Sequence, residues 1–326
     1  MTQERDRAQE RARWRKRRMG RLTHARRIRC VIDIPVKWAK SQSRLNGEAG
    51  RAFVAGLPDR AAHFLDLWGL RVTGPSMYGV CALVLPVERA GAGEGERTEE
   101  RAVLKLQPLD DETAGEPVAL TAWNGDGAVR LLEYDAETGT LLLERLEAAR
   151  DLSGVEIREA VGVVAGLLAR LTAAEAPAGL RRTLGDLAAR MLDDVPVVVP
   201  LVADAGERRL LRDCAAALRE VAGEPGDRLL HWDLHYENVL SGGREPWLAI
   251  DPKPLAGDPG FELLPALFNR FDASHVGWRF DLMTEVVGLD RERARAWTLG
   301  RVLQNGLWMR SVVPEHAAIA RTLLGK

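Results

Sequence analysis

The sequence of 326 residues is poor in cysteine, in lysine and in long apolar runs. Cys30, Cys81 and Cys214 are too few and too widely spaced for a disulfide framework, and no CxxC pair suggests a zinc site. No apolar run approaches the roughly 18 residues that a membrane span needs. We therefore expect a globular protein of the reducing cytoplasm, without a membrane anchor.

The formal net charge of −1 conceals two oppositely charged parts of the chain. Residues 1–29 contain 12 Lys and Arg against 3 Asp and Glu, which leaves the remainder with a net charge of −10. A basic segment of this kind is typical of an arm that binds nucleic acid or an anionic membrane, or of a solvated extension; we favour the extension. The acidic remainder predicts a cationic small-molecule partner and argues against nucleic acid.

Hydrophobic periodicity predicts a β-rich first half and an α-rich second half. Strands are expected at 80–87 and 102–106, and a hairpin at 129–134 and 140–145. Helices are expected at 112–124 and at 50–70, the second broken at Gly56–Pro58. After residue 150, apolar stripes at helical spacing indicate packed helices, namely Val161, Val164, Leu168 and Leu171, then Leu184, Leu187 and Met191, then Leu210, Cys214, Leu218 and Val221. Trp123, Trp232 and Trp308 are expected in the core.

The stretches HWDLHYENVL (231–240) and WLAIDPKPLAGDPGFELL (247–264) concentrate the polar side chains that can carry chemistry. Asp233 and Asn238 lie in a loop between two apolar strands, and Asp251 ends the second strand. Oxygen donors of this kind suit Mg²⁺. The HxDxH spacing also admits a zinc site, but no third histidine is nearby. His231 and His235 are expected to brace the loop, and Glu262 to brace it or to lie on a helix turn.

Only six residues are lysine, and Lys105 is the single one between Lys40 and Lys253. Phosphoryl transfer needs a carboxylate at the acceptor hydroxyl, divalent ions at the polyphosphate, a lysine on the phosphates and a glutamate that holds the lysine. Asp233 fits the role of the carboxylate, and Asn238 and Asp251 fit the role of ligands to the divalent ions. Lys105 fits the role of the phosphate-binding lysine, and Glu116 that of the glutamate that holds it. Two alternatives stay open. Lys105 could be a solvated edge lysine, and Glu116 an ordinary first-turn helix acid with Glu112 as its competitor.

The pattern HxDxxxxN followed by IDP resembles the catalytic and metal-binding loops of the protein-kinase-like aminoglycoside phosphotransferases. The longer strings HWDLHYENVL, REPWLAIDPKPLAGDPGFEL, AVLKLQ and RARAWTLGRVLQNGLW are similar to the branch of streptomycin 6-phosphotransferases and hydroxyurea phosphotransferases. The resemblance covers about residues 43–310. It implies an α+β, two-lobed kinase-like fold, with a small antiparallel sheet and one helix in an N-lobe (30–146) and a mostly helical C-lobe (147–326), preceded by the extension 1–29.

The resemblance also implies a role for each matching residue. Asp233 becomes the catalytic base, and Asn238 and Asp251 become Mg²⁺ ligands. The remaining residues would bind the nucleotide in the N-lobe: Lys105 on the phosphates with Glu116 as its partner, the hinge Glu144–Leu146 against adenine, and the loop GPSMYG (74–79), where Gly74, Ser76 and Gly79 let backbone N–H groups approach the phosphates.

The implied reaction is transfer of the γ-phosphoryl group of ATP, with Mg²⁺, to a hydroxyl of an aminoglycoside. Streptomycin is the first candidate, and hydroxyurea or another hydroxylated metabolite is the second. A kinase-like protein that only binds ligands is the alternative from another class, but the complete set of Lys105, Asp233, Asn238 and Asp251 argues against it. Lys253 adds a cation beside the metal site that would contact phosphate or weaken the binding of a guanidinium substrate.

Overall fold

A computed structural model describes residues 32–90 and 99–326 of the chain. The predicted extension 1–29 lies outside the described residues. The chain forms two compact units, a smaller one that ends at Leu109 and resumes over Leu132–Arg145, and a larger one made of Asp110–Leu131 and Leu146–Lys326. Residues 110–131, expected in the N-lobe, pack with the larger unit. One reason is that the indole of Trp123 donates a hydrogen bond to the carbonyl of Leu171 at 2.9 Å.

The smaller unit contains an antiparallel sheet, as predicted, but the helical segment packed with it is not 112–124. It is a long segment before the sheet that is kinked at Gly47. The elements of this unit are α1 (Val36–Leu67), β1 (Leu70–Val72), β2 (Met77–Tyr78), β3 (Leu83–Ala90), β4 (Glu99–Leu106), β5 (Leu131–Asp135) and β6 (Thr140–Glu144). The sheet order is β1-β3-β4-β6-β5, with β2 also paired to β3. The pairs β1–β3, β3–β4 and β4–β6 are antiparallel. The core of this unit consists of α1 residues such as Leu57 and Phe64 together with Leu83, Leu85 and Leu104 of the sheet.

The break predicted at Gly56–Pro58 is wrong. Helix α1 runs through Pro58, and its one non-helical residue is Gly47, with φ of 57° and ψ of −127°. Proline in a helix interior costs a hydrogen bond and a steric clash, but burial of Leu57, Ala61 and Phe64 on both sides of Pro58 outweighs that cost. Gly47 can adopt the positive φ without strain because it has no Cβ.

Arg60 connects α1 to the far end of the sheet. Its guanidinium donates hydrogen bonds to Thr140 Oγ1 at 2.9 Å, to the carbonyl of Gln107 at 3.0 Å and to the carbonyl of Thr138. Replacing Arg60 by methionine leaves these acceptors without their donor, so we expect the free energy of unfolding to fall by about 1–3 kcal/mol.

Urea unfolding of the Arg60→Met protein checks this expectation. Arg51→Met is the matched control, because Arg51 lies on the same helix and is exposed. Equal urea midpoints for the two variants would show that Arg60 does not stabilise the smaller unit.

The larger unit is mostly helical, again as predicted. Its helices are α2 (Glu116–Trp123), α3 (Ile157–Leu171), α4 (Leu184–Val198), α5 (Ala205–Val221), α6 (Leu264–Phe268), α7 (Val276–Val287), α8 (Arg291–Met309) and α9 (Pro314–Leu324). Its short strands are β7 (Glu147–Asp151), β8 (Arg228–Leu230), β9 (Val239–Ser241), β10 (Leu248–Ala249) and β11 (Leu255–Gly257). They form the sheets β10-β9-β7 and β11-β8.

The apolar stripes of α3 and α5 are buried, which confirms their assignment to the core. Helix α8 packs against α5, and α3 packs against α7. Trp123 and Trp232 are buried, but the core assignment of Trp308 is wrong, because its side chain is 82% exposed near the end of α8. Among the described residues, no helix has the length and apolar character required to cross a membrane.

Candidate active site

Two loops of the larger unit carry the predicted catalytic and metal-binding residues. One joins β8 to β9 through a short 3-10 helix, Tyr236–Asn238, and the other joins β10 to β11. The amide of Ile250 donates to the carbonyl of Asn238 at 2.9 Å, and the amide of Lys253 donates to the carbonyl of His231 at 3.0 Å. Because β8 pairs with β11 and β9 with β10, the two loops run side by side within this unit. The roles of Asp233, Asn238 and Asp251 as base and metal ligands stay predictions.

His231 is a structural part of the loop, as predicted. The ring is fully buried, its Nε2 lies 3.0 Å from the carbonyl of Ile250, and its Nδ1 accepts from the amide of Asp233 at 3.4 Å. Burial lowers the pKa of His231 to about 4. A neutral ring with Nε2 protonated fits both contacts, so His231 connects the backbone at Asp233 to the backbone of Ile250 in the other loop.

Asn238 and Asp251 provide oxygen atoms that fit a magnesium ion. The side-chain amide of Asn238 donates to the carbonyl of Asp233 at 2.9 Å, which leaves its oxygen as the acceptor. Asp251 has φ of 57°, a left-handed conformation that aspartate tolerates better than most residues. Magnesium commonly takes one or two carboxylates and completes its shell with water and substrate phosphates. The donor set therefore fits Mg²⁺ with water and phosphate as further ligands, since the described residues contain no group of three or more His, Cys, Asp or Glu that could hold a metal ion by itself.

Asp233 is paired with Lys253. The Nζ of Lys253 lies 2.8 Å from Oδ2 of Asp233, and both side chains are about one-third exposed, at 32% and 29%. Burial alone would lower the pKa of Lys253, but the charges of Asp233 and Asp251 and the hydrogen bond to Asp233 raise it above its ordinary value. Lys253 therefore remains protonated at neutral pH, in contact with the carboxylate predicted to act as base.

Trp232, next to Asp233, is clamped between two arginines that no local sequence pattern indicated. The guanidinium carbon of Arg182 lies 3.8 Å from the centre of the indole, and that of Arg301 lies 4.4 Å from it. The backbone of Trp232 has φ of 70°, and its amide donates to Oε1 of Glu262 at 2.7 Å. The prediction that Glu262 braces this loop is confirmed. The clamp fixes the unusual conformation of the residue before Asp233.

Glu262 should make stability depend on pH. Burial raises its pKa to about 7, against the opposing effects of the Trp232 amide and Arg301. Between about pH 4.5 and 7 the unfolded chain loses this proton while the folded protein keeps it, so stability falls as pH rises through that window. Glu262→Gln removes the titration. We expect the difference in the free energy of unfolding, variant minus wild type, to increase by on the order of 3 kcal/mol from pH 4.5 to 7.

Urea unfolding of wild type and Glu262→Gln at a series of pH values measures this difference. A change in stability that the amide causes equally at every pH does not affect how the difference between the two proteins varies with pH. A difference that stays flat from pH 4.5 to 7 would show that the Glu262 carboxyl is ionised in the folded protein throughout.

Lys105 lies in the middle of the sheet of the smaller unit. On β4 it stands opposite Val84 of β3 and Leu141 of β6, and it is 5% exposed. The alternative of a solvated edge lysine is therefore wrong. A buried ammonium group is retained only with compensating charge or hydrogen bonds, and this supports a functional reason for the single lysine of the region.

The predicted nucleotide loop 74–79 lies between β1 and β3 and is fixed by α1. The amide of Gly79 donates to the carbonyl of Ala82 at 2.9 Å, and the indole of Trp38 donates to the carbonyl of Gly79 at 2.9 Å. A Cβ at Gly74 would lie 3.2 Å from Pro86. The backbone of Gly79 is thus engaged within the smaller unit, and a contact of its amide with phosphate would replace the bond to Ala82. The roles of Gly74, Ser76 and Gly79 stay predictions.

The remaining predicted residues lie near the ends of elements. Glu116 is 1% exposed in the first turn of α2, whereas its predicted competitor Glu112 pairs with Arg182 at 3.5 Å. Glu144 ends β6 opposite Ala102. The chain passes from the smaller to the larger unit between residue 145 and Leu146, inside the predicted hinge. The nucleotide contacts of Glu116, Glu144 and Leu146 stay predictions.

Comparison with known proteins gives strong matches over most of the chain. The family model described as aminoglycoside/hydroxyurea antibiotic resistance kinase matches residues 68–313. A hydroxyurea phosphotransferase of Kitasatospora aureofaciens is 64% identical over 309 residues, covering 92% of this chain and 88% of its own length. A streptomycin 6-kinase of Streptomyces glaucescens is 53% identical, covering 90% of this chain and 98% of its own length. A streptomycin 6-kinase of Streptomyces griseus is 49% identical, with 90% and 97% covered.

Solved structures confirm the kinase-like fold. A thermostable variant of aminoglycoside phosphotransferase APH(4)-Ia, in ternary complex with ADP and hygromycin B, matches 81% of this chain and 95% of its own with a TM-score of 0.54 at 16% identity. A choline/ethanolamine kinase family protein from Mesorhizobium loti matches 82% of this chain and 92% of its own with a TM-score of 0.55 at 21% identity. At these identities the likeness concerns the fold alone.

Proposed function

Because the chain belongs to the aminoglycoside/hydroxyurea antibiotic resistance kinase family, we propose that it transfers the γ-phosphoryl group of ATP to a hydroxyl group of a small molecule. The observation that carries this proposal is the joining of the two loops that bear Asp233, Asn238 and Asp251 by hydrogen bonds between their backbones. A kinase needs one carboxylate as its base, and a second carboxylate together with an amide to hold its metal.

Asp233 acts as the base in the proposed reaction. Its carboxylate accepts the proton of the acceptor hydroxyl while the hydroxyl oxygen forms a bond to the γ-phosphorus. The bond from that phosphorus to the bridging oxygen of ADP breaks, and ADP leaves with the bonding electron pair. His231, Glu262 and the clamp on Trp232 hold the backbone of Asp233 in place, so the carboxylate need not reorganise during the reaction.

Asn238 and Asp251 would hold Mg²⁺ in this proposal. The metal, when bound, neutralises charge on the polyphosphate. Lys105 would bind the phosphates, with Glu116 as its partner, and the loop 74–79 together with Glu144 and Leu146 would bind the rest of the nucleotide. We also propose a cytoplasmic location, where ATP is available.

Two compounds are candidates for the acceptor. Streptomycin is favoured by the acidic character of the chain beyond residue 29 and by relatives named as streptomycin 6-kinases at 53% and 49% identity. Hydroxyurea is favoured by the relative at 64% identity that is named for it. We place hydroxyurea first and streptomycin second.

The test is to incubate the full chain with Mg·ATP and, separately, hydroxyurea, streptomycin and kanamycin. A phosphorylated acceptor gains about 80 Da by mass spectrometry, the mass added by one phosphoryl transfer. We expect that gain with hydroxyurea or streptomycin, together with release of ADP. Unchanged masses for all three acceptors, in a preparation that binds ATP, would contradict the proposed function and favour a kinase-like protein that only binds ligands.

A further inference from the structure

Lys253 lies at the point that an acceptor must reach, yet the proposed phosphoryl transfer gives it no role. Its Nζ is 2.8 Å from Oδ2 of Asp233. A hydroxyl that passes its proton to Asp233 must come within hydrogen-bond reach of the same carboxylate. The chemical groups next to that hydroxyl therefore lie within a few ångströms of the Lys253 ammonium.

The backbone of Lys253 is held from both sides, so the fold fixes the point from which its side chain extends. Its amide donates to the carbonyl of His231 at 3.0 Å, and its carbonyl accepts from Nη1 of Arg182 at 2.8 Å. It stands between Pro252 and Pro254, and a residue before proline is restricted to extended conformations. The backbone of Lys253 is therefore fixed beside His231, two residues before Asp233.

Lys253 neutralises the negative charge that Asp233 would otherwise present to a cationic ligand. The pair of Asp233 and Lys253 has no net charge, so the attraction that a lone carboxylate would exert on a cation is cancelled. Arg301, buried beneath Trp232, is also within electrostatic range of Asp233. Glu262 also lies within electrostatic range of Arg301, but its pKa of about 7 leaves its carboxyl largely protonated in more acidic solution. Asp251 is a second carboxylate whose charge acts on Lys253. Without Lys253, the immediate surroundings of the base would be negative.

We propose that Lys253 determines the charge of the acceptor, admitting an uncharged hydroxyl or N-hydroxy compound and disfavouring one with guanidinium groups beside the reacting hydroxyl. This inference rests on the proposed function, because it takes Asp233 as the place where the acceptor hydroxyl binds. Hydroxyurea is uncharged, whereas streptomycin has two guanidinium groups on one of its hydroxyl-bearing rings. One cation within a few ångströms of another lowers affinity by about 10- to 100-fold at the effective dielectric of a partly exposed site.

The test compares Lys253→Glu, Lys253→Met and Lys253→Arg in the full chain. The quantity measured is the ratio of kcat/KM for streptomycin to kcat/KM for hydroxyurea. We expect Lys253→Glu to raise this ratio by about 10- to 100-fold and Lys253→Met to raise it by about tenfold, while Lys253→Arg leaves it within about threefold because the charge is kept. Lys326→Glu, at the exposed C terminus, is the control with the same change in net charge.

A lysine that only orients Asp233 would give a different result. Its replacement would lower kcat for both acceptors by the same factor, the ratio would not move, and the proposal would be overturned. A ratio that moved equally in Lys326→Glu would also overturn it, since the effect would then come from net charge.

Binding gives a second measurement that does not need turnover. Calorimetric titration of streptomycin into wild type and Lys253→Glu, each saturated with Mg·ADP, should show at least about tenfold tighter binding to the variant. Equal affinities overturn the inference whatever the rates are. Failure of the proposed function looks different, because wild type would then phosphorylate neither acceptor while the binding comparison still decides the role of Lys253.

Discussion

The Asp233→Asn protein should bind ATP as wild type does and phosphorylate its acceptor about 10²- to 10⁴-fold more slowly, the range that general-base catalysis contributes. Asparagine keeps the shape of the side chain and an oxygen that can accept from Lys253, so the loop should keep its structure. The loss then falls on kcat, because the amide does not take the proton of the acceptor hydroxyl.

Glu237→Gln is the matched control for Asp233→Asn. Glu237 is a carboxylate four residues further along the same loop, and its side chain is 60% exposed. Its variant should keep kcat within about twofold of wild type, as expected for an exposed surface change. Steady-state kinetics with saturating Mg·ATP measures both variants. If Asp233→Asn turned over at a rate close to wild type, the base would have to be another residue.

Asp251→Asn should weaken the binding of Mg·ATP by on the order of 10²-fold, about 3 kcal/mol. The variant removes the charge of a proposed metal ligand but keeps a residue type that tolerates the left-handed backbone found there, with φ of 57°. Asp251→Ala removes the charge and also strains the backbone, so a comparison of the two separates metal binding from folding.

Calorimetry with ATP in the presence and absence of Mg²⁺ is the measurement for Asp251→Asn. We expect the variant to lose the part of the ATP affinity that depends on magnesium and to keep the part that does not. Wild-type affinity of Asp251→Asn for Mg·ATP would remove Asp251 from the metal site.

Short motifs predicted which loops and strands carry the candidate residues. HWDLHYENVL placed Asp233 and Asn238 in one loop, and the apolar strand before Asp251 placed that residue at the end of a neighbouring element. The scarcity of lysine pointed to Lys105, which the structure buries in the central part of the sheet. These inferences succeed because loop ends and strand patterns are local properties of the chain.

The supporting residues could not be predicted in the same way. Arg182 and Arg301 reach Trp232 from distant parts of the chain, and no local pattern relates them to it. Pro58 was expected to end a helix, but buried contacts on both sides override its local preference. The pairing of Lys253 with Asp233 likewise depends on two loops that meet only in the folded chain.

The most direct test of the proposed phosphoryl transfer follows all phosphorus-containing species in a single reaction mixture. Phosphorus NMR of wild type with Mg·ATP and hydroxyurea, and in parallel with streptomycin, should show the γ-phosphate signal of ATP decreasing while ADP and a phosphorylated acceptor appear in equal amounts. The same mixtures with Asp233→Asn should stay almost unchanged over that time. Release of inorganic phosphate alone, or a phosphorylated acceptor formed equally fast by Asp233→Asn, would contradict the account.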